Sequence, residues 1–480
     1  MGMWSLPSEW QVPQSLHILV VMLIAVLTGF GFNSARGQAK PKSRSRTGAS
    51  TGIRSLLIIA FLPWFLAPSE LPSNAICELD KEQKDLTIWP NCDSSGNSDP
   101  WLIANHDKIG KMKPRVLVVN FANDVDMDGV KDRTRRLVRA FAESTRYHGY
   151  SNPDAPPFIE FQVLKCVDMR DNPIPDDRGR KNSLKAPYDA ARDKSVDSGV
   201  CDYSAFYGEE FATLYGFVNP KEKGKYLSLN ELINRGIVHE LWFYWIHDED
   251  GAPFETVEFK QYYDLKCQPI QGKHGWAGNG HSPKIPWTGR SFRITFINPH
   301  RGIGCAMENF GHAMEGMAHS DSIQYFRKYF YEYAEFDLDT RLHLPGKSFY
   351  ELCDGASPPI EYPSPTQMKL IFKGKEYKVE NYIHRAGNVH FPPGARNHYD
   401  LSSPFTVKST IENYRLRNGP GKNDKAKDFS KEKFRTWLEF CPDGMGPWLV
   451  FWRQNMPGLG NKCLDDDGLP MKNWWPFLFY

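Results

Sequence analysis

The chain has 480 residues, 59 basic and 57 acidic, for a net charge of +2 at pH 7. Residues 1–75 hold six basic and two acidic side chains, which leaves 53 minus 55, or −2, on the remainder, and a nearly neutral body is no nucleic-acid binder by charge. An aromatic content of 14% builds core first, and only part of it can line a sugar-binding or ligand-binding surface.

At the N-terminus, no charge occurs between Gln11 and Ala35, and Ile18 to Phe32 is almost wholly apolar, which predicts a membrane segment. A loop follows with Arg36, Lys40, Lys42, Arg44, Arg46 and Arg54, then a shorter apolar run, Leu56 to Ala67, broken by Pro63. Basic region, apolar region and the small pair Ser73 and Ala75 make a signal peptide with cleavage after Ala75. Either Ile18 to Phe32 is a transmembrane helix or translation starts within the basic loop; both place the body outside the cytoplasm by the positive-inside rule. All nine cysteines lie after Ala75 with no C-x-x-C pair, so disulfides are expected rather than a zinc ribbon, with Cys77–Cys92 and Cys441–Cys463 as local candidates and an odd thiol left over.

After an N-terminal extension over residues 76–113, the chain alternates strand and helix. Arg115 to Phe121 is a short β-branched run suited to a strand buried on both faces, followed by a helix over about Asp132 to Tyr147 and a strand over Phe158 to Val167. Asp168 to Val200 reads as loop, Ser228 and Glu231 form a capping box, and strands are expected at Ile237 to Ile246 and Ser291 to Ile297. This order predicts an α/β core over residues 114–345, with a largely parallel central sheet flanked by helices. Residues 346–480 are richer in Pro, Gly and Trp, with a hairpin around Gly374 and a flexible loop at Asn418 to Lys427, and read as a loop-rich, Trp-rich elaboration packed on that core.

The most informative stretch is Cys305 to His319, where Glu308, His312, Glu315 and His319 fall at offsets of four, three and four and so share one helix face. Such spacing can chelate a divalent metal, zinc or calcium, with His312, Glu315 and Glu308 as the candidate ligands, while Met307, Phe310, Met314 and Met317 pack inward. An ordinary amphipathic helix with solvated Glu and His pairs fits the same spacing. Strand ends point to one place: Asn120 and Asp124, His247 and Asp248, and Asn298 and Arg301 each follow a strand, as ligand sites do in open α/β sheets. Downstream, the stiff loop His390 to Asp400 carries two histidines, Arg396 and Asp400, and can complete a site or simply pair Asp400 with Arg396. Three motifs carry less: Gly48 to Gly52 matches G-x-S-x-G but lies in the leader, Asp124 to Gly129 begins like a calcium loop yet has Arg135 at its twelfth position, and Asp465 to Gly468 is an acidic turn.

Three blocks carry a resemblance. Asn298 with Arg301-Gly302 and Gly311-His312-Ala-Met-Glu315, His390-Phe-Pro-Pro393 with Tyr399-Asp400, and Asn473-Trp474-Trp475 resemble an uncharacterised family of exported proteins. Ala313 stands where that pattern has an arginine, and Asn455 where it has a histidine before the late proline. The resemblance implies export and brings no activity with it.

Two functions follow from the residues. One is a metal-dependent hydrolase acting on an extracellular polymer, glycan or peptide, with Glu308, Glu315, Arg301 and His390 as the catalytic set, a spare carboxylate as base, and Arg301 or His390 orienting substrate. The other is a non-catalytic surface or glycan-binding protein whose Trp-rich last third supplies the binding surface. Convergence of His312, Glu315 and His390 on one pocket would separate them.

Overall fold

Continuous apolar runs can hide both faces only inside a sheet covered on each side, and the computed structural model, which describes residues 80–94, 99–171, 181–353, 360–416 and 424–480, places them there. Six strands form the central sheet: β1 (Arg115–Asn120), β2 (Gln162–Asp168), β3 (Glu240–Tyr244), β4 (Thr256–Tyr263), β5 (Pro269–Trp276) and β6 (Phe292–Ile297). Their order is β2-β1-β3-β6-β4-β5. The first four in that order run parallel, and β4 and β5 add an antiparallel edge. Every residue of β1, β3 and β6 is buried.

One face of the sheet carries helix α1 (Met127–Ser144), whose N-cap Asp126 accepts from the Gly129 amide at 2.6 Å. The helix starts five residues before the Asp132 expected, its cap explains part of the acidic run, and Asp124 faces His300 at 3.0 Å. On the other face the helical cover is modest, consisting of Glu209–Tyr215 and the six-residue α2 (Leu229–Asn234), with its Ser228/Glu231 capping box formed. After β6 come α3 (Ile303–His319) and α4 (Gln324–Tyr333). Strands Glu361–Ser364, Gln367–Phe372 and Lys375–Val379 then make the small antiparallel sheet with the hairpin at Gly374, and α5 (Gly446–Gln454) follows.

A single apolar cluster runs from Val116 and Val118 of the sheet through Met307 and Phe310 to Trp448, Trp452, Trp474 and Trp475, so residues 346–480 share the core of the α/β part. Those four tryptophans are buried, which corrects the expectation that they form a binding surface. Among the described residues no helix is long and apolar enough to cross a membrane, so the expected transmembrane segment is not found there; Ile18 to Phe32, the leader and the Gly48 to Gly52 motif lie outside the described residues. Cys441 and Cys463 are separate free thiols, so that expected disulfide is absent, and Cys77 lies outside the described residues. Most of the Asn418 to Lys427 loop does too.

Candidate metal centre

Helix α3 starts at the carboxyl edge of the sheet, directly after β6. Free backbone amides in a first helical turn can bind an anionic ligand. Instead the Asp443 carboxylate accepts from the Gly304 amide, and Gly302 and Gly304 make room for it, since a Cβ on either would come within 2 Å of Asp443. The helix is buried nearly all round because the sheet packs on one side and the segment 387–400 on the other. Gly311 sets that second contact: a Cβ there would meet Val389 Cγ2 at 2.6 Å. Absence of a side chain therefore lets the next residue, His390, reach the helix.

Three donor atoms converge. His312 Nε2 lies 3.0 Å from His390 Nε2, His390 Nε2 lies 2.8 Å from Glu308 Oε1, and His312 Nε2 lies 3.7 Å from the same oxygen. A tetrahedral zinc with bonds of about 2.0–2.1 Å puts neighbouring ligand atoms about 3.3 Å apart, so the triangle already has the size of a metal's ligand shell. Glu308, His312 and His390 form a group that could hold a metal ion.

Around the triangle each ligand is fixed from behind. His312 Nδ1 faces Glu315 Oε2 at 2.8 Å, and Glu315 is itself held by the Tyr350 hydroxyl at 3.1 Å and the Val389 amide at 3.1 Å. His390 Nδ1 faces His398 Nδ1 at 3.2 Å, and the Tyr399 ring lies on the His390 ring at 4.1 Å. Tyr399, with a left-handed backbone (φ 62°), donates its hydroxyl to Glu308 Oε1 at 2.9 Å. Such a conformation is costly for a tyrosine and is kept where surrounding contacts enforce it. Burial alone would push the Glu308 carboxyl up, but hydrogen bonds from His312 and His390 hold it down to about 2. Burial opposes charge on His312, yet Glu308 and Glu315 raise its pKa well above the ordinary imidazole value.

No family model, curated protein or solved structure matches the chain.

The centre is therefore read from its own atoms. Glu308, His312 and His390 come together, whereas Glu315, expected as a ligand, binds the outer nitrogen of His312. His319 is exposed and packs on Phe336, away from the triangle. Arg301 lines a cleft of about 430 Å³ with Asn298, His247, Cys305 and Glu255. Asn120 closes the turn toward α1 through the Val125 carbonyl, and Asp248 is held by Asn182, so neither reaches that cleft. Asp400 pairs with Arg396 at 2.6 Å. Sequence reasoning missed Glu255, whose carboxylate acts electrostatically on His312, Tyr399 and Cys305 and accepts from Asn279. It precedes β4, a strand that the sequence pattern did not disclose, and only the tertiary fold brings it to the site.

Proposed function

We propose that the protein is an exported metal-dependent hydrolase acting on an extracellular polymer, with Glu308, His312 and His390 holding the metal. The donor triangle carries this reading. Two imidazoles and one carboxylate suit zinc better than calcium, which takes oxygen ligands. Export rests on the basic and apolar leader before Ala75 and on the likeness to the exported family.

When bound, the ion supplies Lewis acidity, polarising a substrate oxygen and making water easier to deprotonate. The chain's own residues supply the rest. Glu308 is engaged by both histidines and Tyr399, and Glu315 by His312, Tyr350 and the Val389 amide. Glu255 lines the open cleft with one oxygen held by Asn279, which leaves Oε1 to take a proton from water there. Arg301 lines the same cleft and orients substrate.

Titration of the purified full chain with zinc, in competition with a chromogenic chelator, tests the reading. One tight equivalent is expected for wild type, with its loss in both His312→Ala and His390→Ala. A wild-type chain that takes up no zinc, cobalt or manganese overturns it.

A further inference from the structure

We propose that the cleft beside the metal centre binds an acidic glycan, Arg301 holding the carboxylate or sulfate of one sugar unit; the inference rests on the hydrolase reading above. Among the described residues the Arg301 guanidinium meets no carboxylate, and its polar contact is Cys305 Sγ at 3.8 Å. Its donors therefore remain available for an oxyanion, which a guanidinium grips through paired N–H groups.

The surroundings suit an extended chain of such units. A second hollow of about 570 Å³, lined by His312, Glu315, His319 and Tyr350, shares Asn279 with the Arg301 cleft. Together they follow α3 from before its first turn to its last, about 25 Å at 1.5 Å per residue. Glu308 and His312 of the donor triangle are on this helix, with His390 reaching them from the loop, and His312 also lines the second hollow. A polymer laid along the helix would then have units on both sides of the metal.

The lining suits a glycan bearing an anionic group better than a peptide. Among the described residues, Arg301 is the one arginine or lysine lining a cleft whose acidic side chains are Asp197 and Glu255, so an anionic group on the ligand finds its cation there. The Asn298 carboxamide and the Phe254 ring, both lining the cleft, offer a hydrogen bond and a stacking face, as sugars require. A peptide strand adding to the cleft wall would need free backbone groups, but the Asn279 amide is bonded to the Thr256 hydroxyl, the Glu255 carbonyl to the Phe296 amide, and the Phe254 carbonyl to the Tyr203 hydroxyl.

Calorimetric titration of the zinc-loaded full chain with a galacturonate hexasaccharide, a sulfated hexasaccharide, a neutral cello-oligosaccharide and a hexaglutamate peptide tests the assignment. Binding of at least one acidic sugar is expected, with a loss of about tenfold or more in Arg301→Gln, the size of a charge-assisted hydrogen bond. Arg301→Lys should recover part of it, and zinc affinity should stay unchanged in both variants. The two acidic sugars distinguish carboxylate from sulfate. Stronger binding of hexaglutamate than of either acidic sugar, equal binding of the neutral sugar, or acidic-sugar affinity unmoved by Arg301→Gln each overturns the assignment. Zinc uptake without acidic-sugar binding defeats this inference alone, whereas absence of zinc uptake defeats the hydrolase reading.

Discussion

Glu315 contributes no atom to the donor triangle, yet it decides which nitrogen of His312 faces inward. With Nδ1 committed to Glu315, Nε2 is the nitrogen left for a metal, and the Tyr350 hydroxyl and Val389 amide keep the carboxylate from swinging away. Glu315→Gln should keep the fold and weaken zinc binding by about 10–100-fold, the usual effect of losing a carboxylate behind a ligating histidine. Chelator competition reads this directly, and an unchanged affinity would show that the ring is oriented by something else. Tyr399 plays the matching part for Glu308, with its left-handed backbone aiming the hydroxyl at Oε1.

At the scale of elements, the centre exists because a loop is pinned to a helix from two sides. Trp448 and Trp452, one turn apart on α5, donate their indole N–H groups to the carbonyls of Asn388 and Gly387 at 2.9 and 3.0 Å. Gly311 then admits Val389 against α3. Gly311→Val should push the loop outward, abolish stoichiometric zinc binding, and cost about 1–3 kcal/mol of stability, as overpacking does. Retention of full zinc affinity by a folded Gly311→Val chain, judged by circular dichroism, would refute this account of the loop. The sequence made some of this visible and concealed the rest for physical reasons. Strands β1, β3 and β6 declared themselves as unbroken apolar runs, and helical spacing joined Glu308, His312 and Glu315. Strands β4 and β5 escaped because Glu258 and Lys260 interrupt one and the other is polar and Gly-containing. His390 was legible as a residue of a stiff loop, but its replacement of Glu315 in the triangle depends on Gly311 and two distant tryptophans, which no local pattern reports.

Across the whole molecule, buried ionisable groups make stability depend on pH. Burial holds both His106 and His148 down to about 4, below the value of about 6.5 in an unfolded chain. A folded pKa lower than the unfolded one means that the unfolded chain takes up the proton first as pH falls. The stabilisation is complete above pH 6.5 and declines toward pH 4, by roughly 1.4 kcal/mol per pH unit for each histidine. Urea midpoints between pH 7 and 4.5 should fall steadily, and less steeply in His148→Phe; a flat profile would contradict it.

At the opposite end of the sheet from the metal centre, Arg293 lies in register between Glu240 and Glu258, and Lys260 pairs with Glu258 at 2.9 Å, all four fully buried. Arg293 also donates to the Leu478 carbonyl at 2.6 Å, and Lys260 to the carbonyls of Phe477 and Tyr480, partners 185 to 220 residues further along the chain. Buried cations without their acceptors are strongly destabilising. Closure of the sheet is therefore expected to wait until residues 477–480 have been made and can pack against it. Stopping translation after Asn473 should leave a product that trypsin digests throughout, and a resistant fragment spanning Arg115 to His319 would mean that the sheet forms on its own schedule.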